Sequence, residues 1–179
     1  MRIIAGTLGG RQFKFTGNKR THPMSEKGRG GLFNSLGDIS GLKLLDAFAG
    51  SGAISFEAIS RGATEVVAVE VDKKVYTSIK TNKHNLFTDD NVLQVIRANT
   101  SAWSDAHQSQ KFDIVVCDPP YDDIKPELLT KLANHTTTGG IVIYSLPPNA
   151  AFELPANSYK QLTVKNYGDA TLVFYRKIA

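Results

Sequence analysis

From residue 43 to residue 146 the chain alternates short apolar runs with stretches of helical periodicity. The runs are KLLDAF, EVVAVE, VLQVI, FDIVVCD and GIVIYSL, and the helical stretches fall near 53–61, 73–85 and 126–133. Strands that alternate with helices predict a parallel, doubly wound α/β sheet, since each strand must return through a crossover to lie beside a parallel neighbour. Near-continuous apolar runs mark strands covered on both faces. After Tyr159 the pattern changes. YKQLTV and ATLVFYR flank Tyr167-Gly168-Asp169, predicting an antiparallel hairpin at one edge of that sheet.

Ahead of the core, RIIA (2–5) and RQFKF (11–15) predict a short hairpin over TLGG. Residues 18–24 read as a polar connection, and Ser25 as the cap of a helix over roughly 26–37. Gly28, Gly30 and Gly31 weaken that helix by ~1 kcal/mol each relative to Ala, so it is expected to order fully only on binding a partner. The expectation is one domain, 1–179, with an N-terminal extension (1–41) on a Rossmann-like core (42–179).

Charge separates the same two parts. Arg2, Arg11, Lys14, Lys19, Arg20, Lys27 and Arg29 stand against Glu26 alone in residues 1–31, a net of +6, while the rest of the chain carries −2. A basic arm on a nearly neutral body suits a polyanion. No apolar run approaches the ~18 residues of a membrane span. The lone Cys117 excludes an internal disulfide, and the cytoplasm is the expected compartment.

The sharpest local motif is Leu45-Asp46-Ala47-Phe48-Ala49-Gly50-Ser51-Gly52, a buried strand running into a Gly-rich turn and a helix. Glycines let backbone approach a ligand closely, and the helix start offers N–H donors. Eighteen residues after Gly52, Glu70 ends the next strand, where a carboxylate can take both hydroxyls of an adenosine ribose. A dinucleotide site needs G-x-G-x-x-G, but Ser55 holds the third position. Asp46 would repel a pyrophosphate and suits an α-amino group near a sulfonium, which favours S-adenosylmethionine over a nicotinamide dinucleotide.

A second motif, Asp118-Pro119-Pro120-Tyr121, follows the strand FDIVVC. The prolines have fixed φ and no N–H, so the turn presents a carboxylate, a carbonyl and a ring at a strand's carboxyl end. An exocyclic amino group of a base is a poor nucleophile because its lone pair is delocalised. The Asp118 carboxylate and the Pro119 carbonyl can hold its two N–H bonds and localise the lone pair, while Tyr121 stacks on the extruded base. Cys117 and Trp103 read as buried packing residues. His84, His107 and His135 lack metal-site spacing, and no metal is expected.

Together these residues resemble the RsmD-like family of bacterial guanine-N2 methyltransferases of small-subunit (16S) ribosomal RNA. The likeness spans nearly the whole chain. It runs from Arg2-Ile3-Ile4-Ala5-Gly6, Gly10-Arg11 and Arg29 with Leu32-Phe33-Asn34, through the Asp46–Ala53 loop and Glu57-Ala58-Ile59-Ser60-Arg61-Gly62-Ala63. Glu70, Asp118-Pro119-Pro120-Tyr121 and Tyr167-Gly168-Asp169 complete it. The resemblance implies cofactor binding by Asp46, Ala47, Gly50, Ser51, Gly52, Glu70, Asn99 and Asp118. It implies a target guanine held by Asp118 to Tyr121, and RNA met by the N-terminal hairpin and helix. Arg2, Arg11, Lys14, His22 and Arg29 are the candidate RNA contacts, and a monomer acting on ribosomal RNA or the small subunit is expected.

The chain departs from the family at three places. His22-Pro23-Met24 replaces Arg-Pro-Thr, Gly30 replaces Glu, and Asn99 replaces an acid that reads the adenine amino group, leaving an amide carbonyl to accept that bond. Four other functions share some of these features. A DNA adenine-N6 methyltransferase has both motifs but needs a target-recognition segment, for which little chain remains. A protein-glutamine methyltransferase uses Asn where Asp118 stands. A silent RNA-binding or ribosome-assembly factor would not need Asp118 and Tyr121. A nicotinamide oxidoreductase would need the third glycine.

Overall fold

A computed structural model describes residues 1–16, 24–89, 91–148, 150–168 and 170–179. Seven strands form one sheet: β1 (Lys43–Asp46), β2 (Glu65–Glu70), β3 (Leu93–Arg97), β4 (Phe112–Cys117), β5 (Thr136–Leu146), β6 (Tyr159–Tyr167) and β7 (Ala170–Lys177). Among the described residues five helices accompany them: α1 (Glu26–Leu36), α2 (Ala53–Ser60), α3 (Lys73–Leu86), α4 (Thr100–Ala106) and α5 (Pro126–Ala133). The strand order is β3-β2-β1-β4-β5-β7-β6. The first five are parallel, and β7 enters antiparallel between β5 and β6, as the tail predicts.

Successive residues of each strand face opposite sides, and the two sides have separate cores. Leu44, Val66 and Ile114 join Phe33, Phe56 and Ile79 on one side. Leu45, Val67 and Val115 join Trp103, Leu129 and Tyr144 on the other. Cys117 and Trp103 are buried, as expected. Among the described residues no helix is long and apolar enough to cross a membrane.

The expected N-terminal hairpin is formed: the Ile3 N–H donates to the Arg11 carbonyl at 2.9 Å and the Phe13 N–H to the Met1 carbonyl at 2.9 Å, either side of the antiparallel Arg2–Gln12 pair, with Ile3 and Phe13 in the core beside Leu32 and Phe33. Helix α1 runs from Glu26 to Leu36, with the Ser25 hydroxyl accepting from the Gly28 N–H as the expected cap. Gly31 reflects close packing: a Cβ there would collide with the Tyr167 ring and hydroxyl. Helix α4 was not legible in TSAWSDA, which is rich in poor helix formers. It is held by the Asn99 cap and the buried Trp103 indole.

The extension is clasped to α2 through Glu57, a lone charge in an otherwise buried helix. Its carboxylate accepts the N–H of Ile4 at 2.7 Å, the N–H of Ala5 at 3.0 Å and Arg61 Nε at 2.8 Å. Arg29 lies 3.6 Å from it and donates to the Arg2 carbonyl at 2.6 Å. Arg29 is wholly buried, so its candidacy as an RNA contact is corrected: its charge belongs to this interior pair. Burial also pulls its pKa below the usual guanidinium value.

Candidate active site

The two sequence motifs meet at the carboxyl edge of the parallel strands. Asp46 ends β1, Glu70 ends β2, Asn99 follows β3 and Asp118 follows β4, with β3, β2, β1 and β4 adjacent. Between Asp46 and α2 the loop turns through Gly50 (φ +50°) and Gly52 (φ +78°). A Cβ at Gly52 would also press on the Phe56 ring, so glycine is required there on two counts. Ala47 is anchored from both sides, its N–H to the Val116 carbonyl at 3.0 Å and its carbonyl to the Thr100 hydroxyl at 2.9 Å.

Asp46 is fully buried. Its Oδ2 accepts from the Ser55 hydroxyl at 2.7 Å, while its Oδ1 has no hydrogen-bond partner. Burial, aided by the negative charges of Asp118 and Glu70, pushes its pKa up to about 7 against the opposing Ser55 bond. A buried acceptor without a donor costs about 1–3 kcal/mol, and a ligand cation at Oδ1 would relieve both the missing bond and the crowded charge.

Glu70 Oε2 accepts the Gly50 N–H at 2.9 Å and Oε1 the Asp72 N–H at 2.7 Å. Each oxygen keeps a second lone pair for a hydroxyl. Burial raises the Glu70 pKa. Asn99 differs from its expected role. Its Oδ1 accepts from the N–H groups of Ser101 and Ala102 as the cap of α4, so the carbonyl is occupied and the amide N–H is what remains to meet a ring.

After β4, Pro119 is buried, while Pro120 and Tyr121 are exposed. The Pro120 carbonyl accepts from Asp123 N–H at 3.0 Å, closing the turn. The Tyr121 hydroxyl bonds the hydroxyl of Ser145, a buried residue of β5, at 2.9 Å, which holds the ring at the edge of the sheet. Ser55, Thr100 and Ser145 support this edge. Ordinary strand and helix serines and threonines carry no sequence signal for that work.

The arm residues do not form one cluster. Arg2 is exposed and pairs with Glu26 at 3.0 Å, Arg11 and Lys14 lie along α3, and Arg29 is interior. His22 lies outside the described residues.

An open parallel sheet extended by an antiparallel β7, with a Gly-rich loop after β1 and acids ending β1 and β2, defines a Rossmann-like class I methyltransferase fold, the class served by S-adenosylmethionine. Within that class the chain belongs to the RsmD-like family: the family described as Conserved hypothetical protein 95 matches residues 1–176. It is similar to Ribosomal RNA small subunit methyltransferase D of Buchnera aphidicola subsp. Acyrthosiphon pisum, 36% identical over 66% of this chain and 62% of that relative. The chain therefore spans a little under two thirds of that relative's length. The Putative rRNA methyltransferase YlbH of Bacillus subtilis is 33% identical over 74% of this chain and 73% of its own length. A solved structure described as a putative methyltransferase, yhhF, from Escherichia coli superposes with a TM-score of 0.86 at 27% identity, covering 100% of this chain and 98% of that one.

Proposed function

We propose that this protein transfers a methyl group from S-adenosylmethionine to the exocyclic N2 of a guanine in small-subunit ribosomal RNA. The observation that carries the reading is the pairing of an acceptor-rich Asp118-Pro119-Pro120-Tyr121 turn with a neighbouring buried carboxylate, Asp46, whose Oδ1 has no partner. Relatives named as small-subunit ribosomal RNA methyltransferases support the choice of substrate.

The residues present fit the cofactor. Asp46 Oδ1 would take its ammonium group, the free lone pairs of Glu70 its ribose hydroxyls, and the Gly50-Ser51-Gly52 backbone would lie against it. The Asn99 amide N–H would donate to the adenine ring. When bound, S-adenosylmethionine supplies an electrophilic methyl on a sulfonium.

Toward the base, Asp118 accepts one amino N–H and the Pro119 carbonyl the other. The nitrogen lone pair, freed from the ring, then points at the methyl. Tyr121, held by Ser145, stacks on the extruded guanine, an interaction worth ~1–3 kcal/mol in comparable sites. The carboxylate of Asp118 takes the proton that nitrogen sheds on methylation. Positioning is the main contribution, since no covalent enzyme intermediate forms.

The test incubates the protein with labelled cofactor and small-subunit ribosomal RNA, followed by nucleoside mass spectrometry. N2-methylguanosine is expected, and Asp118→Ala is expected to lose nearly all turnover while binding cofactor as the wild type does. N6-methyladenosine, or no methyl transfer to RNA, refutes the assignment.

A further inference from the structure

A concave surface runs along α3, lined by none of the candidate active-site residues. Residues 11–16 run against this helix in the opposite direction, as four bonds show. Arg11 Nη1 donates to the Leu86 carbonyl at 3.5 Å, and the Lys14 N–H donates to Asn82 Oδ1 at 3.2 Å. Asn82 Nδ2 and the Ser78 hydroxyl both donate to the Lys14 carbonyl, at 2.6 and 3.4 Å. Between strap and helix opens a groove of about 570 Å³, whose lining includes Arg11, Lys14, Lys74, Thr77, Thr81 and Asn85.

Among the described residues no carboxylate lines this groove. Helix α3 carries Lys73, Lys74, Lys80 and Lys83 and no acid. From Lys74 to Asn85 the helix advances ~16 Å, longer than one anionic group requires. Helix α3 starts at Lys73, just after β2 ends at Glu70, so the Lys74 end of the groove lies toward the carboxyl edge of the sheet, on the side of the candidate active site.

The polar lining is also asymmetric. Thr77 donates its hydroxyl proton to the Lys73 carbonyl at 2.8 Å, and Thr81 to the Thr77 carbonyl at 3.0 Å. In this arrangement each hydroxyl keeps lone pairs that can accept from a ribose 2′-hydroxyl, the group by which a protein tells RNA from DNA.

Resting on the function proposed above, we infer that this groove holds a single-stranded stretch of the substrate RNA beside the target nucleotide. Arg11, Lys14 and Lys74 take its phosphates, while Thr77 and Thr81 accept from its 2′-hydroxyls. Phosphate pairing sets register and affinity; the threonine acceptors make the groove selective for RNA.

The test titrates the full chain with a labelled single-stranded segment of small-subunit ribosomal RNA and with DNA of the same sequence, across a salt series. Lys14→Ala with Lys74→Ala should weaken RNA binding about tenfold and reduce the log–log salt slope by ~0.7 for each phosphate no longer neutralised. Thr77→Val with Thr81→Val should erase the preference for RNA over DNA and leave the salt slope unchanged. Both variants change exposed positions, and each should melt and bind cofactor as the wild type does. Wild-type affinity, slope and RNA preference in both variants, in a protein that still methylates ribosomal RNA, overturn the groove and leave the proposed function standing. A wild type that neither binds nor methylates RNA overturns both. Weakened binding to assembled small subunits with naked RNA unaffected assigns the groove to a protein partner and also overturns it.

Discussion

Two buried carboxylates serve α2, one at each end, and their surroundings are opposite. Glu57 lies toward the carboxyl end with its charge satisfied by two backbone N–H groups, Arg61 and Arg29. Asp46 lies against the amino-terminal half with one bond, from Ser55, one oxygen without a partner, and the negative charges of Asp118 and Glu70 acting against its own. Equal burial thus accompanies two different jobs. A carboxylate that the chain itself satisfies is a rivet, here joining the N-terminal extension to the core. A carboxylate that the chain leaves unsatisfied is suited to a cation from outside.

The largest expected separation is in stability. Glu57→Ala strands Arg29 as a buried charge and should cost about 3–5 kcal/mol in urea denaturation. Asp46→Asn should cost nothing at pH 8, where the wild-type carboxylate is charged and unpaired. Equal losses in the two variants would erase the contrast.

Next in size is the loss at the neighbouring acid. Glu70→Ala should weaken S-adenosylmethionine binding by ~1.5–3 kcal/mol in calorimetry, the range for removing bonds to a charged group. Unchanged affinity in a folded variant would remove Glu70 from the cofactor site.

The smallest effect per measured step is a slope with pH, up to ~1.4 kcal/mol per unit. Folding raises the Asp46 pKa to about 7 from an ordinary value near ~3.9, so the folded state keeps a proton that the unfolded state releases. The stability contributed by that proton is complete below pH ~4 and is lost as pH rises toward 7; Asp46→Asn should lack this slope. Cofactor binding should run the other way, weakening by up to ~1.4 kcal/mol per unit as pH falls below 7, because the ammonium requires the charged form. A flat binding profile would separate Asp46 from the ammonium group.

Both motifs of the candidate site could be found in the chain because each lies within one strand and the turn after it. Asp46 to Gly52 and Asp118 to Tyr121 are local, and a turn declares itself through glycine and proline. Arg29 shows the limit of such reading. A positive charge near the N-terminus looks the same in sequence whether it faces RNA or Glu57, and only the fold brings residue 29 against residue 57. Asn99 was identified as a site residue, but its carbonyl was spent on capping α4, a helix too short and too polar to show as a period.

The alternation of apolar runs with helical periods determined a parallel sheet, and the terminal hairpin its antiparallel edge, because side-chain periodicity follows directly from backbone geometry. The partner of each buried charge was decided only by tertiary structure. Coulomb and hydrogen-bond energies depend on distances across space, and residues 29, 46, 57 and 118 acquire those distances only once the strands are ordered β2-β1-β4 and the extension closes over α2.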